Sequence, residues 1–261
     1  MAASDDLAIA HQLADIAAEV TMGAFGSRLP VTLKTDASPV TAIDSAAERA
    51  IRTAVQRLCP GDGVLGEEEG LDRGTTGRVW VIDPIDGTAM FAEGIPLWTT
   101  LIGLRDADGR ISVGVADAPA IGERASAARG GGAFLGSRPL HVSDVDLLRD
   151  ALVLHASVSD FAATDQLDPL LRLVSASRGT RGFADAWSHL LVARGSVEVA
   201  VEMLACYEWD WAATSVIVEE AGGKVSATDA IDPYPGCRLL VTNGLLDQQV
   251  RAALDAPPGP L

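Results

Sequence analysis

The segment WVIDPIDGT, residues 80–88, places two aspartates three positions apart at the end of an apolar run. Burying Asp83 and Asp86 side by side is costly unless a cation lies between them, because carboxylates lose hydration and repel each other. The proline fixes one backbone dihedral and the glycine permits a tight turn, so both side chains and the Ile85 carbonyl can converge on one point. Mg²⁺ and Mn²⁺ prefer such an all-oxygen set. The alternative is a solvated turn, for which Asp-Pro-x-Asp-Gly is also typical.

Two more acidic segments lie on either side of this one. Upstream, GEEEG at 66–70 follows a strand-like run that would deliver Glu67 to the same place, although a charge run by itself indicates a solvated loop. Downstream, EWDWAA at 208–213 puts Asp210 at the N-cap or in the first turn of a helix, where a carboxylate also serves simply as a cap. The sequence therefore offers four carboxylates for a metal centre: Glu67, Asp83, Asp86 and Asp210.

The pattern around these motifs predicts a layered mixture of helices and strands. Two amphipathic helices open the chain, one closing at Gly23 or Gly26 and one following Asp44 or Ser45 and ending at Cys59. Short apolar runs then predict strands of an antiparallel or mixed sheet, and the second half alternates strand-like and helical segments. This order indicates helices packed against two sheets, in the α/β or α+β class.

Length and composition are those of a globular protein. The chain has 261 residues, 48% of them hydrophobic, which is enough for one large domain or for two lobes. We expect an N-terminal α+β lobe over residues 1–147 that carries most of the metal ligands. A C-terminal α/β lobe over residues 148–261 would carry Asp210 and the residues that face the substrate.

Charge and targeting signals limit the partners. A formal net charge of -16 disfavours binding to a nucleic-acid backbone, which requires clustered Lys and Arg. The acidic first twenty residues lack the basic start and apolar run of a secretory signal, and no later run is long enough to span a bilayer. We therefore expect a cytoplasmic protein without a membrane partner. Cys59, Cys206 and Cys237 lie far apart without CxxC spacing, which favours buried free thiols over a zinc site or disulfides.

The ordered acidic motifs resemble those of the inositol monophosphatase family, which are GEE, DP-(I/L)-DGT and WD-x-A-A ahead of a helix ending in E-A-G-G. Their counterparts, with two further matching segments, are GEE at 66–68, DPIDGT at 83–88, WDWAA at 209–213, EEAGG at 219–223, PVTAID at 39–44 and ARGGGAF at 128–134. The resemblance implies a layered α-β-α-β-α sandwich of the inositol monophosphatase and fructose-1,6-bisphosphatase type. It also implies a homodimer that hydrolyses a small-molecule phosphate monoester, with Mg²⁺ as cofactor and Mn²⁺ as its substitute.

The resemblance further implies metal and catalytic roles. Glu67, Asp83 and the Ile85 carbonyl would hold one metal ion, and a second would be held by Asp83, Asp86 and Asp210. Two such ions neutralise the ester oxygens, lower the pKa of a water and stabilise the departing alkoxide, so that no side-chain nucleophile is needed. Asp44 and Thr88 would orient the attacking water, and Glu67 would be the third catalytic residue.

Candidate phosphate contacts lie directly after the two aspartates and upstream of Asp44. The backbone N–H groups of Gly87 and Thr88 are placed to receive phosphate oxygens. Lys34 matches a basic position ahead of the family's V-T-x-x-D segment, the alternative being a surface lysine.

Substrate choice is suggested by RGFAD at 181–185, which is similar to the R-x-(Y/F)-G-D segment of the histidinol-phosphate phosphatase branch. Asp185 and Glu202 would then bind a substrate amine or hydroxyl, although Asp185 also suits a helix N-cap. His189 is expected to be a core or lining residue and not a base. We therefore expect histidinol phosphate as the substrate, with inositol, sugar or nucleoside phosphates as the alternatives.

Two departures from the family pattern bear on the substrate more than on the reaction. Met90 stands where the family usually has Asn, and the interval from Glu202 to Asp210 is one residue longer than usual, with Glu208 directly ahead of the tryptophan.

Two other functions compete with this interpretation. A haloacid-dehalogenase-type phosphatase carries its aspartates two positions apart, whereas Asp83 and Asp86 are three apart. An inactive, metal-binding regulatory homologue would keep the fold without turnover, but all the expected ligands are present.

Overall fold

The computed structural model describes residues 3–27, 32–33, 39–183, 185–227 and 237–255, and Lys34 lies outside them. The α-helices of these ranges are α1 Ala3–Ala24, α2 Ala42–Leu58, α3 Thr88–Ala92, α4 Val158–Ala163, α5 Leu167–Ala176, α6 Asp185–Ala193, α7 Glu208–Glu220 and α8 Asp247–Asp255. The strands are β1 Thr32–Leu33, β2 Pro39–Val40, β3 Gly63–Gly66, β4 Gly70–Asp72, β5 Val79–Asp86, β6 Thr99–Arg105, β7 Ile111–Ala118, β8 Glu123–Ala128, β9 Ala133–Leu135, β10 Arg138–Pro139, β11 Leu152–His155, β12 Gly179–Arg181, β13 Val199–Cys206, β14 Lys224–Ala227 and β15 Cys237–Thr242.

Two large sheets organise the chain. The first has eight strands in the order β10-β9-β8-β7-β6-β5-β3-β4 and is antiparallel except for the parallel pair β3 and β5. The second has five strands in the order β12-β11-β13-β15-β14, in which β11 runs parallel to both of its neighbours. A short β1-β2 pair lies apart from both sheets.

The helices separate the sheets into layers. Helices α1 and α2 pack on one face of the eight-stranded sheet, and α7 packs on its other face beside α6. Helix α6 also contacts β13 and β15, so α6 and α7 form the layer between the two sheets, and α5 and α8 pack together on the outer side. This arrangement confirms the predicted α-β-α-β-α sandwich.

Strand β5 lies in the middle of these layers, and each of its eight residues is buried. Trp80 and Ile82 join the hydrophobic cluster under α1 and α2, whereas Val81 packs in the cluster that contains α6 and α7. A strand covered on both faces reads as a continuous apolar run instead of an alternating one. That is why the segment ahead of Asp83 is apolar throughout, and why its carboxyl end lies deep in the protein.

The structure corrects one element boundary and adds one short helix. Helix α2 begins at Ala42 and not after Asp44 or Ser45, because Thr41 and Asp44 form a capping box in which each side chain accepts a backbone N–H of the other end. Asp44 is therefore inside the first turn. The short helix α3, directly after Gly87, was not predicted.

Two further predictions concern the cysteines and the division of the chain into lobes. Cys59 and Cys206 are buried free thiols, as expected, while the side chain of Cys237 lies outside the described part. The strands of the two sheets separate in sequence between Pro139 and Leu152, but α7 packs back on the first sheet. The division into lobes at residues 1–147 and 148–261 stays a prediction.

Candidate active site

An irregularity in β5 brings its two aspartates to one place. Asp83 lies opposite Leu101 of β6 and Asp86 lies opposite Thr99, so three residue steps on β5 face two on β6. In a regular strand, side chains three positions apart point to opposite faces, and the extra residue of a bulge removes that difference. Pro84 is tolerated at the bulge because the ladder needs no N–H there.

The third carboxylate comes from α7. Asp210 lies in the first turn of that helix, as predicted, and its Oδ2 accepts a hydrogen bond from the Tyr207 N–H at 2.6 Å. One carboxylate oxygen from each of Asp83, Asp86 and Asp210 lies within 4.8 Å of the others. The structure thus brings together three of the four carboxylates that the sequence singles out.

Protein donors hold two of these carboxylates in place. Asp83 Oδ1 accepts the Ile85 N–H at 2.9 Å. Asp86 Oδ2 accepts the Thr99 hydroxyl at 3.0 Å and the Ala186 N–H at 2.8 Å, so Asp86 also caps the N-terminus of α6. The roles of Thr99 and of the Ala186 backbone have no counterpart in the sequence motifs.

Burial and mutual repulsion act on all three carboxyl groups. Burial, reinforced by the charges of Glu67 and Asp86, raises the pKa of Asp83 well above its ordinary value. Burial and the charge of Asp185 do the same to the pKa of Asp86. Burial also raises the pKa of Asp210, with the charge of Glu67 adding to it against the Tyr207 hydrogen bond. Each group is therefore in an environment that disfavours its ionised form.

This donor set fits a hard divalent cation. Asp83 and Asp86 are only 2% and 7% exposed, and the nearby charges that shift their pKa values are other carboxylates. A cation bound between them would relieve the repulsion that raises these pKa values. Oxygen ligands from carboxylates are those that Mg²⁺ and Mn²⁺ take.

The fourth carboxylate, Glu67, lies in the turn between β3 and β4, and its charge acts on both Asp83 and Asp210. The turn rests on Glu48 of α2, a fully buried carboxylate that accepts the backbone N–H groups of the two residues after Glu67. Sequence reasoning missed Glu48. Its helical spacing of four residues from Asp44 is the signal that could have found it.

Asp44 and Thr88 form a buried pair beside the carboxylates. The Thr88 hydroxyl lies 3.0 Å from Asp44 Oδ1 and 3.0 Å from the Ile85 carbonyl oxygen. Asp44 Oδ2 accepts the Thr41 N–H at 2.9 Å and the Thr41 hydroxyl at 2.6 Å. Asp44 is thereby fixed from its own helix, and its other oxygen is directed at Thr88.

Gly87 links this pair to Asp185. It adopts the left-handed conformation, with φ of 83°, between Asp86 and α3. A Cβ atom at Gly87 would lie 3.2 Å from Asp185 Oδ2, so the Asp185 carboxylate lies against the Gly87 backbone. Asp185 itself has a positive φ of 59°, a conformation that Asp tolerates better than most residues. The structure therefore brings Asp185, which the sequence motif singles out, next to Gly87.

Glu202 faces the same region from β13, and its charge raises the pKa of both Asp86 and Asp210. Its Oε1 lies 2.8 Å from His189 Nε2, and its Oε2 accepts a weak hydrogen bond from the Cys206 thiol at 3.4 Å. His189 is 1% exposed, as expected of a core residue.

The two departures from the family pattern have structural counterparts. Glu208, directly ahead of Trp209, is 2% exposed and forms an ion pair with Arg105 of β6, at 2.5 Å and 2.7 Å from its two oxygens. Met90 lies half-buried in α3, where its carbonyl accepts the Ile95 N–H.

The fold and the carboxylate cluster together define a layered α/β protein with a candidate site for a divalent metal ion. The model of the inositol monophosphatase family matches residues 3–256. A histidinol-phosphatase from Mycobacterium tuberculosis is 42% identical over 258 residues, covering 97% of this chain and 98% of that protein. A histidinol-phosphatase from Streptomyces coelicolor is 41% identical over 261 residues, covering 96% and 97%. The crystal structure of the extragenic suppressor protein suhB from Bartonella henselae superposes with a TM-score of 0.89 at 28% identity, covering 97% of this chain and 99% of that one.

The chain belongs to the inositol monophosphatase family. It is therefore a hydrolase of phosphate monoesters, and its acidic cluster is that of a metal-dependent enzyme. Among the helices that the structure describes, none is both long and apolar enough to cross a membrane.

Proposed function

We propose that this protein is a Mg²⁺-dependent histidinol-phosphate phosphatase. The observation that carries the proposal is the position of Asp185, whose carboxylate lies against Gly87 and whose charge acts on Asp86 and Asp210. A carboxylate beside a phosphate site can accept hydrogen bonds from the hydroxyls of a neutral polyol, but it gains an additional Coulomb attraction only with a substrate that carries an ammonium group. The names of the relatives from Mycobacterium and Streptomyces support the same choice.

The proposed metal ligands are four carboxylates and one backbone carbonyl, at the bulge and around it. They are Glu67, Asp83, the Ile85 carbonyl, Asp86 and Asp210. When bound, Mg²⁺ supplies the positive charge that neutralises phosphate oxygens and acidifies water at the site. Mn²⁺ prefers the same oxygen ligands and would substitute for it.

Asp44 and Thr88 are the proposed water-orienting pair. If the Thr88 hydroxyl donates to Asp44 Oδ1, 3.0 Å away, the lone pairs of its oxygen are left to accept a hydrogen bond from the attacking water. Asp44 cannot rotate away, because Thr41 holds its second oxygen with two hydrogen bonds. Glu67, whose charge acts on Asp83 and Asp210, is the third catalytic residue in this scheme.

The phosphate is proposed to bind at the start of α3. The first N–H groups of a helix have no intrahelical partner, so those of Gly87 and Thr88 are available to phosphate oxygens. Only a residue that tolerates positive φ fits at Gly87, and a side chain there would approach Asp185. A role for Lys34 in phosphate binding stays a prediction, since it lies outside the described residues.

Asp185 and Glu202 are the proposed contacts to the amine or hydroxyl of the substrate. They differ in position: Glu202 lies 2.8 Å from His189 through its Oε1, whereas the Asp185 carboxylate lies against the Gly87 backbone, where the phosphate is proposed to bind. Because Asp185 is the one next to the proposed phosphate site, we assign the ammonium contact to it first.

We also propose that the enzyme is a cytoplasmic homodimer. The buried free thiols of Cys59 and Cys206 fit a reducing compartment, and the dimer rests on the family resemblance. Cell fractionation and sedimentation velocity would test the two statements separately.

The deciding experiment is a substrate panel with and without Mg²⁺. Purified protein would be assayed for phosphate release from histidinol phosphate, inositol 1-phosphate, a sugar phosphate and a nucleoside monophosphate, with chelated protein as the control. We expect the highest kcat/KM for histidinol phosphate and no turnover after chelation. A higher kcat/KM for inositol 1-phosphate would show that the alternative substrate is the correct one. Absence of turnover on every ester would favour an inactive, regulatory homologue.

A further inference from the structure

Helix α2 presents a polar stripe to the site. Asp44, Glu48 and Arg52 follow one another at intervals of four residues, so they lie on one face of the helix. Asp44 and Glu48 are both fully buried. Asp44 reaches Thr88, while the next two members reach the turn between β3 and β4.

Glu48 holds that turn by its backbone. Its Oε2 accepts the Glu68 N–H at 2.7 Å and its Oε1 accepts the Glu69 N–H at 3.0 Å. These are the two residues directly after Glu67, so a single carboxylate fixes consecutive peptide groups of the turn. Hydrogen bonds to a charged acceptor are stronger and geometrically more restrictive than neutral ones.

Arg52 completes the attachment. Its Nε donates to Glu48 Oε1 at 2.8 Å, and its Nη2 donates to the Gly70 carbonyl at 2.5 Å. The guanidinium thus offsets the buried charge of Glu48 and binds the far end of the same turn. The N–H groups of Glu68 and Glu69 and the carbonyl of Gly70 are therefore all hydrogen-bonded to side chains of α2.

Gly66 shows how closely the two elements approach. A Cβ atom at this position would overlap the Glu48 carboxylate. A residue with any side chain there would push the turn off Glu48. The glycine of the GEE motif is therefore explained by the carboxylate behind it.

We propose that Glu48 and Arg52 are positioning residues that set the metal affinity of Glu67. The inference rests on the proposed role of Glu67 as a metal ligand. Because Asp44 is on the same helix, α2 acts as a rigid support that fixes the water-orienting pair and the Glu67 turn relative to each other. Partners that orient metal ligands in this way usually change metal affinity by about 10- to 100-fold when removed.

The test compares Glu48→Gln with Glu69→Gln. The first change replaces one of the two acceptor oxygens by an amide and removes the charge facing Arg52. The second removes an exposed carboxylate of the same turn, 3.5 Å from Arg49 and 3.7 Å from Arg52, but keeps the backbone N–H groups that bind Glu48. Mg²⁺ binding would be measured by calorimetry and by the Mg²⁺-induced rise in Tm. Hydrogen exchange of residues 66–72 would be followed in metal-free protein.

We expect Glu48→Gln to weaken Mg²⁺ binding by about 10-fold or more and to speed amide exchange at Glu68 and Glu69. kcat at saturating Mg²⁺ should change far less than the Mg²⁺ requirement. Glu69→Gln should leave all three quantities near wild type. If Glu48→Gln does not fold, Arg52→Lys provides the same test, with a smaller change in the same direction.

Glu67→Gln supplies the reference that separates the two possible failures. If it weakens Mg²⁺ binding while Glu48→Gln and Arg52→Lys do not, the positioning role is overturned and the ligand role of Glu67 stands. If Glu67→Gln itself leaves Mg²⁺ binding unchanged, Glu67 is not a ligand and the inference falls with it.

Discussion

The imidazole Nε2 of His189 lies 2.8 Å from Oε1 of Glu202, and this contact joins helix α6 to strand β13 at the edge of the site. The other ring nitrogen, Nδ1, lies 3.0 Å from the Thr214 hydroxyl of α7. Burial alone would raise the pKa of Glu202, but the charge and hydrogen bond of His189 outweigh it and hold that pKa below its ordinary value of 4.5. Glu202 is therefore kept ionised by the protein itself.

Replacing His189 should destabilise the fold in a pH-dependent way. His189→Leu leaves Glu202 without its main partner, which is expected to lower the free energy of unfolding by about 1–3 kcal/mol. A depressed pKa contributes stability above the ordinary value of 4.5, and this contribution is lost as pH falls through the lower, folded-state pKa. The deficit, measured by urea unfolding, should thus be large at about pH 7 and shrink at about pH 4.

His189→Gln is the matched control, because the amide can still donate to Glu202. Its deficit should be the smaller of the two. Equal deficits for both variants, unchanged between the two pH values, would show that His189 stabilises by packing alone.

Asp83→Asn should abolish turnover and stabilise the metal-free protein. Asp83 is the proposed ligand of two ions, and its pKa is raised well above the ordinary 3.8 by burial and by neighbouring carboxylates. For a carboxyl group with a raised pKa, stability is lost as pH climbs from the ordinary value through the folded-state pKa, so ionised Asp83 destabilises the chelated protein at neutral pH. The variant should therefore have a higher free energy of unfolding than the wild type in chelator at neutral pH.

Assays of phosphate release at high Mg²⁺ and thermal unfolding in chelator would check both statements. Wild-type activity in this variant would remove the central claim about the site. A loss of stability in chelator would mean that the carboxylate makes contacts that outweigh the repulsion.

The motifs predict that Asp83, Asp86 and Asp210 lie close together, because each is at the end of a helix or strand and a set of carboxylates is typical of a metal site. The donors that hold them were not predictable. Ala186 is 100 residues from Asp86 in sequence, and its N–H carries no side-chain signature. The start of α2 was misplaced for a different reason: Thr41 precedes Asp44 by three residues, and the capping box makes Asp44 internal to the helix.

Pairing across the layers could not be read from the sequence either. The family resemblance predicts a substrate contact for Glu202 and the sequence predicts a core position for His189, yet their mutual contact depends on how α6 lies over β13. Glu208 was noticed only as an extra residue, and its ion pair with Arg105 joins positions 103 apart. Local sequence patterns identify residues that could bind a metal or a substrate, while the packing of helices and strands decides which of these residues come into contact.

Thr88→Val should lower kcat and leave Mg²⁺ binding nearly intact. The substitution keeps the shape of the side chain and removes the hydroxyl that lies 3.0 Å from Asp44. Loss of a group that positions the reacting proton usually lowers the rate by about 10²–10⁴-fold. Thr53→Val, an exposed position on α2, carries the same chemical change outside the site and should have wild-type kinetics. Lost Mg²⁺ affinity with unchanged kcat at saturating metal would assign the hydroxyl to the Ile85 carbonyl and the metal instead.

Asp185→Ala should raise KM for histidinol phosphate and barely change the kinetics of a neutral polyol phosphate. A lone charged contact of this kind is worth about 1.5–3 kcal/mol, or roughly 10- to 150-fold in binding. Both assays need saturating Mg²⁺, because the charge of Asp185 also raises the pKa of Asp86. Asp165→Ala is a suitable control, since Asp165 is exposed and has a similar positive φ of 56°, so that the backbone cost of alanine is reproduced outside the site. If the wild-type enzyme turns over inositol 1-phosphate best and Asp185→Ala affects both substrates equally, Asp185 has only a structural role at the start of α6, and the protein belongs with the inositol phosphatases.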